Sequence, residues 1–588
     1  MPESTSSMLS SRLASLNPFS RSKSKADDED LGEKIDPSTV AGGGHGARSS
    51  EVNKDQLQIS HALRSFLVHH NVISKSDAAL HNGGHLSEPL RALLNKPYIN
   101  VPSHITDRSH PLPEYFISSS HNTYLNAHQL YGDSSAIAYQ TALGTGSRCV
   151  EIDAWDDDED KDEPKVTHGY TLVSHISFRS VCETIRDTVD SEAAQVASDG
   201  QYQPSPILVS LENHCSIHGQ QRLVQIMKDV WGDRLLSEAV RAKGHKEQTG
   251  SGSHVLLEEL GSKIVLIVEY HFPGEPEDDE SSSSDDIEDE ETTQAQKTSK
   301  EKKMAAPSVT IIPELAELGI YAQSVKPRDN SWYAEVGLKD GPHHHLINIS
   351  ETALRAHLPA EIHRIARHNA QHLMRVYPKG SRISSRNLNP VPFWGLGAQI
   401  CALNWQTFGA GLQLNQALFT GTEGYVLKPA PLRAGGNGVL STGERKRLRL
   451  HVAGASGIPL PEGRKVDDIT PYLSCTLIHP DDLERDPVKR KTAPYKHHKL
   501  GFLHEGENPP STDPVWDETL KWEYENNELA FLRMLIKSDD SYSRNPVLAV
   551  AAVRLMYIVP GWSFIRMLDL KGRETTCSLL INFEIDNV

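Results

Sequence analysis

Residues 147–158 read SRCVEIDAWDDD, a short apolar run that carries two carboxylates and then ends in acid. Side chains alternate faces along a strand, so Glu151 and Asp153 point one way while Val150, Ile152 and Ala154 point the other. A buried strand with two acids on one face needs a reason for them. Outward from this stretch, β-rich runs (EYFISSS, PILVSLEN, SKIVLIVEY) alternate with helix-compatible stretches such as SFRSVCETIRDTVDSEAAQVAS, the rhythm of βα units. The rhythm resumes as LGIYAQSV, HHLINIS, the helix PAEIHRIARHNAQHLMR, VYP, QICALNW and GYVLKP. Eight or so strands split by one insertion fit an α/β fold of the (β/α)8 barrel type better than an open sheet, although periodicity alone does not show closure.

The insertion is acidic: residues 275–291 (EPEDDESSSSDDIEDEE) hold eleven acids and no base, much of the formal net charge of −18. Such a balance argues against a generic nucleic-acid binder, whose phosphate-binding face must be basic. Six widely spaced cysteines with no CxxC pair do not form a secreted disulfide framework and point to a reducing, intracellular compartment. No apolar run approaches the roughly 18 to 20 residues needed to span a bilayer, and the N-terminus lacks a signal-peptide hydrophobic region. Residues 1–50 are Ser-, Arg- and Gly-rich with few large apolar residues; organelle transit peptides share this composition, but a disordered tail is the plainer reading. Residues 51–107 form a small helical unit, with Leu57, Ile59, Leu63 and Phe66 at near-helical spacing and a second helix near SEPLRALL. After Arg445 the pattern turns all-β (RLRLHVAGA, TPYLSCTLI, ETLKWEYE, LAFLRMLIKS, LAVAAVRL, CSLLINFEI), as in a β-sandwich.

A third carboxylate, Glu212, ends PILVSLENHCS, and His121 and Asn122 close the first strand of the series. In a barrel such strand ends gather at one rim. Three carboxylates and an amide oxygen are hard donors of the kind Ca²⁺ accepts, and His121 and His168 (in VTHGYT) can supply acid and base chemistry beside it. Taken singly each piece is weak, since two acids on a strand also suit a salt-bridge network and a lone histidine is usually structural.

HPLPEYFISSSHNTYLNAHQL, SRCVEIDAWD, THGYTLVSHISF and ILVSLENHCS resemble the X region of eukaryotic phosphoinositide-specific phospholipase C, and LMRVYPKGSRISSRNLNPVPFW, GAQICALNWQT and GYVLKPAPLR resemble its Y region. The resemblance covers about half the chain. It implies an X half over 108–272, an acidic disordered linker over 273–307, a Y half over 308–438 and a C2-like domain over 439–588. The helical unit takes the place of an EF-hand module, but nothing in it matches the calcium-loop pattern. No upstream segment is long enough for the family's pleckstrin-homology domain, so the expectation is a compact form.

The resemblance implies Ca²⁺ held by Asn122, Glu151, Asp153 and Glu212. His121 and His168 become the catalytic pair, with Glu212 or Glu151 as proton acceptor, and Ser350, Arg375 and Tyr377 contact the substrate headgroup. Phosphatidylinositol lipids would be cleaved to diacylglycerol and inositol phosphates through a cyclic phosphodiester. Where the family usually has two lysines facing the ring phosphates, this chain has Ile267 and Glu269, which should weaken preference for the 4,5-bisphosphate. A monomer is expected, cytoplasmic and peripheral at the inner face of membranes. The acidic linker would cover the barrel mouth until an anionic bilayer repels it. In the C2-like part the familiar loop acids are replaced by Thr470, Ser538 and Pro546, so docking without calcium is expected, although Asp467, Asp468, Asp539 and Asp540 leave a weak site open. Two other classes remain: a catalytically silent phosphoinositide-binding scaffold, and a barrel phosphodiesterase acting on soluble glycerol diesters.

Overall fold

Eight parallel strands close on themselves in the computed structural model: β1 Tyr115–His121, β2 Cys149–Trp155, β3 Ile207–Asn213, β4 Ile264–Glu269, β5 Gln323–Val325, β6 His345–Ser350, β7 Leu373–Tyr377 and β8 Ile400–Asn404. The pairing of β8 with β1 and of Ser119 with Cys149 shuts the ring. The structure describes residues 57–588 apart from 81–85, 127–128, 130, 170, 199–203, 242–253, 273–309, 335–336, 339–340, 381, 383–384, 484–485, 499–506 and 540–545. The N-terminal tail, all of the acidic linker and Asp540 therefore lie outside the described residues, all of which fall in one compact unit, Gly32–Val588.

The two faces of each strand explain the layering. Ile117, Cys149, Leu208, Val265, Leu346, Leu373 and Ile400 fill the lumen, and the alternate residues Val150, Ile152, Val209 and Leu266 pack outward against the covering helices. Burying each such aliphatic side chain stabilises by about 1.5–3 kcal/mol. On the X side the covering helices include Phe178–Ser198 and Ile217–Trp231; the second is capped by Ser216, whose hydroxyl accepts from the Gly219 amide.

Two expectations need correction. GYVLKP does not join the parallel ring: β9, Tyr425–Leu427, runs antiparallel to β1. The helix expected across PAEIHRIARHNAQHLMR stops early, as Ile362–Asn369, and Leu373 already belongs to β7. There Leu373, Arg375 and Tyr377 alternate with Met374 and Val376, a period of two that a helical reading of the whole stretch hides.

Arg445 onward forms eight antiparallel strands: β10 Arg445–Ser456, β11 Pro471–Ile478, β12 Val488–Lys491, β13 Val515–Glu525, β14 Phe531–Ser538, β15 Val547–Arg554, β16 Gly561–Leu568 and β17 Glu574–Asn587. Their order is β12-β11-β14-β15-β16-β17-β10-β13, with β15 and β16 joined only through Val550 and Leu568, so the sheet folds over a core that includes Leu450, Trp522, Leu532 and Ile581. Two strands, β12 and β16, were not legible in the sequence. Leu63 and Phe66 of the N-terminal helices pack on this sheet beside Ala453 and Phe564. Barrel and sandwich share a buried junction of Trp394, Phe419, Phe531 and Leu535, where Arg533 Nε also donates to Gln413 Oε1 at 2.7 Å.

Candidate active site

Strand register brings the polar residues together at the carboxyl ends of the strands, the rim where barrel chemistry is built. Asp153 on β2 lies level with Glu212 on β3, and His121 on β1 lies level with Asn404 on β8. Among the described residues, Glu151, Asp153 and Glu212 form the one group of three or more histidines, cysteines or acids whose ligand atoms all fall within 4.8 Å of one another. Glu151 and Asp153 are buried and Glu212 is partly exposed at the mouth.

Asn122 follows β1 with φ of +43°, a left-handed conformation that asparagine tolerates. That turn aims its backbone N–H at Glu151 Oε2, 2.7 Å away, while its side-chain Nδ2 donates to Gln129 Oε1 at 2.8 Å. Tyr124 Oη donates to Asp153 Oδ2 at 2.6 Å. The other oxygen, Asp153 Oδ1, is buried without a hydrogen-bond partner. Burial first, then the Glu212 and Glu151 carboxylates, push Asp153 well above the usual carboxylate range. Burial and Glu151 push Glu212 up as well, against the pull of Arg375. An unpartnered buried oxygen among three crowded acids is a set that a hard divalent cation such as Ca²⁺ fits, since it supplies the missing partner and removes the repulsion.

The two histidines are each pinned on one side. His121 Nδ1 is 2.9 Å from Asn404 Oδ1, and Asn404 Nδ2 points to the Arg386 carbonyl, so His121 Nδ1 carries the hydrogen. His168 Nδ1 contacts the Gln129 carbonyl, which can only accept. In both rings Nε2 is therefore the nitrogen placed for proton exchange.

Arg375 is buried and forms an ion pair with Glu151, with a second bond to Asn348 Oδ1 at 3.1 Å. Its guanidinium lies 5.7 Å from the Tyr377 ring centroid. The residue expected to face substrate is thus bound first to a carboxylate of the acid cluster. Ser350 caps the short helix Glu351–Arg355, its hydroxyl accepting from the Ala353 amide. Sequence reasoning missed Tyr124, Gln129, Asn348 and Asn404; the polar run after β1 held the only signal, for the first two. In the sandwich, Asp468 accepts from the Lys465 amide at 2.8 Å, and among the described residues no three histidines, cysteines or acids there bring their ligand atoms within 4.8 Å of one another.

The sequence matches two family descriptions, "Phosphatidylinositol-specific phospholipase C, X domain" over residues 108–270 and the corresponding Y domain over 315–431. A Candida albicans protein named 1-phosphatidylinositol 4,5-bisphosphate phosphodiesterase 1 is 33% identical over 85% of this chain and 50% of its own length. The human delta-1 enzyme of the same name is 30% identical over 80% of this chain and 59% of its own length. The chain thus spans little more than half of these relatives. The crystal structure of L. pealei PLC21 shares the fold with a TM-score of 0.67 at 23% identity, covering 96% of this chain and 66% of that one.

Proposed function

Because the chain belongs to the phosphatidylinositol-specific phospholipase C family, we propose that it hydrolyses phosphatidylinositol lipids to diacylglycerol and inositol phosphates in a calcium-dependent reaction at a membrane surface. The observation that carries this reading is the unpartnered Asp153 Oδ1 inside the acid cluster, with His121 and His168 each held through Nδ1. Asn122, Glu151, Asp153 and Glu212 would hold Ca²⁺. When bound, the ion would make the inositol 2-hydroxyl more acidic and offset phosphate charge.

The chain's own groups then have distinct tasks. Glu212 or Glu151 takes the 2-hydroxyl proton as its oxygen bonds to phosphorus. His121, protonated, donates to the phosphoryl oxygens, and His168 protonates the glycerol oxygen as the P–O bond to diacylglycerol breaks. In the second half, water bonds to phosphorus and the ring P–O bond opens with the roles reversed. Ser350, Arg375 and Tyr377 contact the ring. The sandwich serves as a C2-like packing and docking unit that needs no calcium.

Headgroup choice rests on β4. Ile267 is 1% exposed and packed in the lumen, so Glu269, two residues on, lies on the same inward row nearer the rim, beside the strand carrying Glu212. A carboxylate there disfavours a ring phosphate. Initial rates on phosphatidylinositol, its 4-phosphate and its 4,5-bisphosphate in mixed micelles, with calcium and with chelator, test both points. Calcium-dependent release is expected, with no preference for the bisphosphate, and Glu269→Lys should raise the bisphosphate-to-phosphatidylinositol rate ratio at least fivefold. Release from none of the three lipids at any calcium level would leave the silent scaffold. A strong bisphosphate preference in the unaltered protein would overturn the headgroup assignment alone.

A further inference from the structure

Histidines crowd the end of the barrel remote from the carboxylates. His345 opens β6, His368 lies in the last turn of the helix Ile362–Asn369, and His372 sits just before β7. Leu346 faces the lumen, so His345, its neighbour in sequence, faces outward beneath that helix. Its ring stacks on His372 with 4.0 Å between centroids, and its Nε2 lies 3.0 Å from His368 Nε2. His345 is 3% exposed and His368 0%.

The outer partners fix both tautomers. His345 Nδ1 is 3.1 Å from the Pro342 carbonyl, which only accepts, so Nδ1 carries the hydrogen. His368 Nδ1 is 2.9 Å from Asn369 Oδ1. Asn369 donates through Nδ2 to the Leu396 carbonyl at 3.0 Å, so Oδ1 is its accepting end and His368 Nδ1 carries a hydrogen too. A neutral imidazole has one N–H. The two Nε2 atoms therefore turn lone pairs toward each other across hydrogen-bond distance with no hydrogen between them. That arrangement is repulsive unless an electrophile lies there.

We propose that His345 and His368 bind a transition-metal ion of the zinc class through their Nε2 atoms, with His372 as the adjacent third donor. Zinc–nitrogen bonds of about 2.0–2.1 Å in tetrahedral geometry separate two donors by about 3.3–3.4 Å, so the pair needs only a slight opening. His372, stacked on His345, has a buried Nδ1 without a hydrogen-bond partner, and its ring would have to turn to bring that nitrogen to the ion. Imidazole donors select zinc, copper or nickel over calcium, which keeps this site distinct from the acid cluster. The Pro342 and Asn369 oxygens do for these rings what outer acceptors do for ligating histidines elsewhere: they fix the tautomer and raise basicity. The ion would tie the start of β6 to the helix before β7, a structural role away from the substrate rim.

The test uses the full chain, stripped with chelator, exposed to zinc and desalted. Elemental analysis should find about one zinc retained, competition titration should show His345→Gln and His368→Gln each weakening it at least tenfold, and zinc should raise the melting temperature of the unaltered protein only. Equal retention by the folded variants would overturn the proposal, as would no retention by the unaltered chain at micromolar free zinc. Should the variants fail to fold, zinc-edge X-ray absorption on the unaltered protein decides: two or more imidazole ligands support the site, and an oxygen-only shell sinks it.

Discussion

Arg375→Met is expected to destabilise the barrel by about 3–5 kcal/mol in chelator, because it leaves the Glu151 carboxylate buried and unpaired. The cost comes from the charge left behind. Glu151 is 1% exposed and already shares its space with Asp153 and Glu212, so losing the one guanidinium beside it adds repulsion to desolvation. The double variant Arg375→Met with Glu151→Gln removes both charges, and a glutamine oxygen still accepts from the Asn122 amide. It should recover most of the stability and none of the lipid hydrolysis. Urea unfolding of the two variants separates the alternatives: a loss below about 1 kcal/mol in the single variant, or no recovery in the double, would show that the pair is not what holds this part of the barrel. Calcium added to the single variant should restore part of the loss, since a cation among the carboxylates replaces the missing charge.

How much of this was legible in the sequence depended on whether the signal was local. The two faces of β2 could be read from residues 147–158 alone, because alternation sends Glu151 and Asp153 one way and Val150 and Ile152 the other. The same rule failed at 373–377, where Leu373, Arg375 and Tyr377 alternate just as cleanly but follow a helical stretch without a break in composition. Strand β12, VKRK from Val488 to Lys491, is exposed throughout, so as an edge strand it offers no apolar face to detect.

The polar partners were the harder case. Asn404 meets His121 from 283 positions away, and the Gln129 carbonyl meets His168 from 39 positions away. Nothing in the side chains announces either pairing, because a backbone carbonyl is common to every residue and an asparagine in QICALNW reads as a strand end. Register decides them, and register depends on closure of the ring. The pairing of Arg375 with Glu151 is of the same kind: each residue could be singled out as a site candidate, but not as the other's partner.

His121→Ala and His168→Ala are each expected to lower turnover by about 10²- to 10⁴-fold, the usual worth of a positioned proton donor or acceptor. Neither ring is fully buried, so thermal stability should change little, and a large loss of stability alongside activity would mean a structural role instead. The support on each ring allows a sharper discrimination. His168 leans on a backbone carbonyl that no substitution removes, whereas His121 leans on the Asn404 side chain. Asn404→Asp would place a carboxylate against Nδ1–H and favour the imidazolium, raising the pKa of His121. If His121 works as a protonated donor, activity is lost as pH rises through that pKa, so the basic limb of the pH–rate profile should move to higher pH in Asn404→Asp. Were His121 instead a base, the acidic limb would move up, and the roles of the two histidines would have to be exchanged.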